Sequence, residues 1–263
     1  MNRIILLASI LSLLGNTVPA TITDTHSFLA ESTANVSYEV KTKTFQREAK
    51  SKDGQLVLTC KYAFPWIKTE KGRPDHIRIL SVNQQIEKES MNQFGNACKE
   101  AVDFTNEFIG EIYQGDKKVP WLPFQVDFSY EITRNKNQWF SYLVTEFRWL
   151  GGAHPDTQYQ GYIYDLSTAK LVKPVDLLKK SAKEIKQYIA DEMMKLYKEN
   201  PSYYFEDEVK ELQKLKFEYN SYLNDEGIVF FFNAYEVAPY VTGKVEIPLK
   251  YQGNESWFKD NLY

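Results

Sequence analysis

The side chains best placed for chemistry lie in WLGGAHPDTQYQGYIYDLSTAK, residues 149–170. An imidazole that titrates near neutrality can act as a general base or bind a metal, and Asp156, two residues beyond His154, could orient it or share a cation. A metal needs more partners, since catalytic zinc takes about three protein ligands and structural zinc about four. The chain has 3 histidines. His26 lies in a non-periodic lead-in and His76 on a predicted strand far from the turn, so any metal set would be mostly carboxylate. A structural reading competes and is preferred. Gly151 and Gly152 permit an unusual backbone path, Pro155 stiffens it, and His154 hydrogen-bonds the turn. No metal, cofactor or catalytic role is assigned to these residues, and Gly151, Gly152, His154 and Asp156 are kept as a turn able to touch a partner.

Other reactive arrangements are weaker. There is no G-x-S-x-G elbow, and Ser167 in YDLSTAK is placed to cap its own hairpin turn. With 35 Asp and Glu residues some pair always exists, but no spacing singles out an acid and a nucleophile. The run Glu206, Asp207 and Glu208 opens a predicted helix, where negative charge favours the helix dipole. NAYEVAPYVTG, residues 233–243, leaves an intensely apolar strand and presents Tyr235, Pro239 and Tyr240 on a proline-stiffened loop. Rigid aromatic surfaces bind partners at low entropy cost; equally, the two tyrosines could pack over the end of a sheet.

The elements that must position these loops follow from periodicity. VSYEVKTKTFQ from Val36 and GQLVLTCKYAF from Gly54 alternate with period two around KSKDG and predict a hairpin. HIRILSV, residues 76–82, reads as a third strand. From Asn83, taken as an N-cap, Ile86, Phe94, Ala97, Ala101, Phe104 and Phe108 recur on one helical face to about Tyr113. Two long strands joined at NKN, a hairpin through QYQGYIYDLSTAKLV, and a helix opened by the capping box Ser181 to Glu184 come next. A short helix over 206–214, strands on both sides of NDEG, and a last strand in KVEIPLKY complete the chain. The expected class is α+β, with two sub-domains of antiparallel sheet packed with helices, divided as 35–119 and 120–252, and with a tail over 253–263.

The opening MNRIILLASILSLLGNTVPA has a basic residue, an apolar run from Ile4 to Leu14 and small residues at Val18 and Ala20. That pattern predicts a secretory leader cleaved near Ala20, followed by a flexible lead-in over 21–34, and places the protein outside the cytoplasm. No later stretch is long and apolar enough to be a membrane helix. Of the 2 cysteines, Cys60 and Cys98, both lie in the exported part, which favours a disulfide over two buried free thiols. A net charge of −3 without a basic cluster makes nucleic acid a poor partner.

GGAHPDTQYQGYIYDLSTAKLVKPVDLL followed by YLNDEGIVFFFNAYEVAPYVTGKVEIPLKY resembles the RsiV/PdaC-type extracytoplasmic domain family of unknown function. This domain occurs in a lysozyme-sensing anti-sigma factor and ahead of the catalytic domain of a peptidoglycan deacetylase. The resemblance is specific over about 126–251, and residues 36–113 are similar to the companion module that precedes it. It implies a binding or sensing module alone, since nothing here matches the deacetylase domain. The expected partner is therefore lysozyme or a peptidoglycan fragment, met through Tyr235, Pro239, Tyr240 and the turn Gly151 to Asp156. An unrecognised envelope hydrolase is the alternative.

Overall fold

A computed structural model describes residues 21–26, 37–52, 54–112, 122–260 and 262. The expected leader, residues 1–20, lies outside them. The first sheet has seven strands in the order β1-β2-β3-β4-β5-β6-β7. They are β1 (Thr21–His26), β2 (Val40–Lys50), β3 (Leu56–Ile67), β4 (Phe124–Lys136), β5 (Trp139–Trp149), β6 (Asp156–Asp165) and β7 (Lys170–Leu171). A second sheet, order β10-β9-β8, is built from β8 (Asn220–Leu223), β9 (Gly227–Phe232) and β10 (Val245–Lys250). Four α-helices, α1 (His76–Ile112), α2 (Pro174–Leu177), α3 (Ala182–Glu199) and α4 (Glu206–Glu211), make the fold α+β.

Several sequence expectations are corrected. Thr21–His26 pairs with β2 as an edge strand, where a flexible lead-in was expected. His76–Val82 is the start of α1. Ile79, Val82 and Ile86 are all 0% exposed, and their spacing of three and four is helical. Asn83 consequently caps nothing. It lies inside the helix, fully buried, where its Oδ1 accepts from Ile67 N–H (2.9 Å) and its Nδ2 donates to Ile67 C=O (2.8 Å). The sheets are not wholly antiparallel either, because β3 and β4 pair in parallel from Leu58↔Phe124 to Tyr62↔Phe128. That ladder crosses the division expected near residue 120. The supposed tail is packed, with Phe258 and Leu262 buried and Phe258 bridged to Leu178.

Two apolar cores lie on opposite faces of the large sheet. On one face α1 covers β2–β6, burying Phe64, Phe124, Val126 and Phe140 together with Tyr142, Tyr162 and Tyr164. On the other, Trp139 and Ile163 meet the second sheet, whose Phe230, Ile247 and Leu249 pack against Ile185, Ile189 and Met193 of α3. Each fully buried large apolar side chain contributes about 1.5–3 kcal/mol, which is why these two faces fix the layers. The capping box of α3 forms as its sequence predicts, Ser181 accepting from Glu184 N–H and the Glu184 carboxylate accepting from Ser181 N–H.

β6 and β8 cross at a glycine. A Cβ on Gly161 would stand 1.9 Å from the backbone oxygen of Ser221, so only glycine lets the two backbones come this close. Ser141 Oγ stitches the same crossing, donating to Tyr162 C=O (2.9 Å) and accepting from Leu223 N–H (3.0 Å).

Candidate functional site

The turn after β5 and the loop after β9, about eighty residues apart in sequence, meet at one end of the molecule. Asn233 anchors the loop to β6. Its side chain is 6% exposed, and its Oδ1 accepts from Tyr159 N–H (2.7 Å) while its Nδ2 donates to Tyr159 C=O (3.2 Å). Val237 and Ala238 plug into the second core at 1% and 0% exposure. With those residues inserted the chain must reverse tightly, and Tyr235 takes φ +70°, a left-handed conformation that costs a non-glycine residue on the order of 1 kcal/mol or more. A hydrogen bond from Tyr235 N–H to Ala238 C=O (2.7 Å) closes the turn. Pro239 leads into a 3-10 turn over Tyr240–Thr242, and Thr242 Oγ1 donates to Tyr203 C=O (3.0 Å), bringing Tyr203 alongside.

The facing turn is shaped by Gly151 and Gly152, at φ +88° and +94°. It presents His154, whose Nδ1 bonds the Pro155 carbonyl at 2.8 Å. That contact makes Nδ1 the donor and leaves Nε2 to accept from Tyr235 O–H at a long 3.5 Å. The imidazole stacks on Tyr240, centroids 4.2 Å apart and planes 19° apart, and Tyr240 lies 6.1 Å from the Tyr235 ring. His154, Tyr235, Pro239 and Tyr240 are thus brought together. Asp156 is not part of the cluster, because it accepts from Gln158 Nε2 at 3.1 Å.

The cluster continues into residues the sequence reading missed. Val241 is 88% exposed, Tyr203 56% and Tyr235 53%, and together they form an outward-facing apolar patch. Tyr203 and Val241 sit in short 3-10 turns, which carry no periodic signal. Phe205 N–H donates to Val237 C=O (2.9 Å), which seats the acidic start of α4, Glu206 to Glu208, at the patch edge. Chemically the arrangement offers stacked rings, one apolar branch and flanking carboxylates, which suits contact with a partner better than bond breaking.

Among the described residues no three His, Cys, Asp or Glu side chains gather as a metal site. His76 instead meets Thr69 Oγ1 at 3.2 Å. Cys60 on β3 and Cys98 on α1 are buried beside each other, both thiols free in this structure. A hydrogen bond with Cys60, helped by burial, holds the Cys98 thiol well above its ordinary value. None of the described helices is long and apolar enough to cross a membrane.

Comparison with known proteins agrees with this architecture. The family described as "Protein of unknown function (DUF3298)" matches residues 169–252, and the one described as "Deacetylase PdaC" matches residues 51–157. The fold is shared with a DUF3298-family protein from Bacteroides fragilis, at 18% identity and a TM-score of 0.55, over 85% of this chain and 94% of that one. It is also shared with one from Pseudomonas aeruginosa, at 13% identity and a TM-score of 0.54, over 86% of this chain and 96% of that one. No curated protein matches the chain. The fold is α+β, and the two matches lie one after the other along the chain. The two matched stretches are similar to the PdaC and DUF3298 families, the second of unknown function.

Proposed function

We propose that this chain is an exported binding module without catalysis, its leader removed near Ala20, which docks a cell-wall-attacking protein such as lysozyme on the patch formed by His154, Tyr203, Tyr235, Tyr240 and Val241. The observation that carries the reading is the convergence of two separate loops on one stack of rings, His154 and Tyr235 exposed and Tyr240 half-buried between them. Projecting aromatic side chains held by a buried anchor lose little entropy when they enter a partner's cleft, the usual property of a hot spot. A protein partner is favoured over a wall fragment here because the most exposed member of the patch, Val241, has no polar handle for sugar hydroxyls. The carboxylates of Glu206 to Glu208 beside it, on a chain of net charge −3, complement a cationic surface and speed its approach. Titration calorimetry of the mature chain with lysozyme tests the proposal. Saturable heat supports it, and the absence of heat at millimolar lysozyme refutes it.

A further inference from the structure

The aromatic patch makes no use of the two thiols in the first core. Cys60 lies on the face of β3 that α1 covers, between Leu58 and Tyr62 in the period-two alternation, and Cys98 lies on the buried stripe of α1 with Phe94 and Ala101. The two meet where β3 packs on α1, one thiol hydrogen-bonding the other. Zinc takes three or four protein ligands, and among the described residues no third His, Cys, Asp or Glu joins the pair. Two sulfurs alone suit an ion content with two soft ligands.

The surroundings set the charge of that ion. Arg47 stands opposite Cys60 in the β2–β3 register, and its guanidinium lies 5.5 Å from the centre of the Phe94 ring, one helical turn before Cys98. A cavity of about 200 Å³ adjoins the pair, lined also by Leu58, Gly95 and Val102. A Cβ on Gly95 would meet nothing within 4 Å, so packing does not require glycine there, although glycine weakens a helix interior relative to alanine. Its missing side chain leaves the cavity open beside Cys98 and gives the sulfurs room to part. Bare thiolates are unfavourable here, because the shared hydrogen bond and burial both keep the proton on sulfur. A soft cation that takes the place of that hydrogen between the sulfurs removes the penalty, since two thiolates, one monovalent ion and the Arg47 guanidinium are together neutral. Soft thiolate ligands select ions such as Cu(I).

We infer that the reduced Cys60–Cys98 pair is a two-sulfur site for a soft monovalent cation, Cu(I) or Ag(I), held between the thiolates. Binding forms two metal–sulfur bonds and releases both thiol protons to solvent, with no change in oxidation state. The ion and a Cys60–Cys98 disulfide exclude one another, so oxidation of the pair closes the site. The inference stands independently of the aromatic patch. It is tested by titrating the fully reduced mature chain, kept free of oxygen, with Ag(I) against a competing chelator. One equivalent should bind with sulfur-to-metal absorption in the ultraviolet, and X-ray absorption should find two sulfur neighbours at the ion. Cys60→Ala and Cys98→Ala should each lose stoichiometric binding, and Tyr240→Ala should bind as the parent does. The sulfur count on the parent protein decides the matter whether or not the cysteine variants fold. Excess zinc should not displace the ion. The inference is overturned if no equivalent binds, if the ion has one sulfur neighbour or more than two, if either cysteine variant keeps the parental affinity, if the oxidised protein binds equally, or if zinc competes.

Discussion

The imidazole of His154 lies flat on the Tyr240 ring, 4.2 Å between centroids, while its Nδ1 holds the Pro155 carbonyl at 2.8 Å. One histidine therefore shapes its own turn and props the ring proposed to meet a partner. His154→Ala should cost about 1 kcal/mol through loss of the stack and the hydrogen bond, lowering the melting temperature by about 2–4 °C. Added zinc should change neither protein's melting curve. Stoichiometric zinc in the parent, absent from the variant, would contradict the structural role.

Tyr240→Ala should weaken lysozyme binding by about 2 kcal/mol or more, since truncated aromatic anchors cost this much at hot spots. Val241→Asp should do similar harm without touching the fold, because that side chain is 88% exposed. Calorimetry with both variants distinguishes a docking surface from a ring that only supports its neighbour.

The Asn83 amide satisfies both polar backbone groups of Ile67, accepting from its N–H and donating to its C=O. Asn83→Leu leaves a buried N–H and C=O unsatisfied and should cost about 2–4 kcal/mol, read from the urea midpoint. A loss below the error of that measurement would show that water replaces the amide.

The box at the start of α3 should respond to pH. The Ser181 backbone N–H and hydroxyl, with Lys180, hold the Glu184 carboxyl at about 2, below its ordinary 4.5. A depressed folded value means that its stabilisation is complete above 4.5 and is lost as pH falls through about 2. Glu184→Gln should remove this part of the pH dependence, and Ser181→Ala should cost about 1 kcal/mol at neutral pH.

Secretion through an oxidising compartment should join Cys60 to Cys98, as the paired burial of the two thiols allows. Closing a loop of roughly 40 residues should add on the order of 4 kcal/mol, read as the difference in urea midpoint with and without reductant. Two free thiols in non-reducing peptide maps of the secreted protein would refute the bond.

How much of this was legible in the sequence depended on whether the signal was local. The box at Ser181, the turns at Asn137 and at residues 224–227, and the strands β4–β6 each rest on neighbouring residues and appear where expected. HIRILSV failed because its apolar residues satisfy both periods, and the deciding contacts come from β3. The parallel β3–β4 ladder joins strands with α1 between them, so no turn residue announces it. For the site, the glycines, His154 and the tyrosines were visible as types. Their stacking was not, since it depends on Asn233 clasping Tyr159 and on Val237 entering a distant core.

The glycine crossing of β6 over β8 has a kinetic consequence. The β5–β6 hairpin buries its rings in the core it shares with α1 on one side and meets β8 on the other, with no room for a methyl group at Gly161. Local opening would have to peel away one of two cores first, which ties exchange here to unfolding of the whole molecule. The amide hydrogens of Ser141–Val144 and Gly161–Tyr164 should therefore exchange with deuterium last, at the rate of whole-molecule unfolding. Gly161→Ala should bring that rate forward throughout the hairpin at once, making this strand pair the clock by which the protein's lifetime in the folded state can be read.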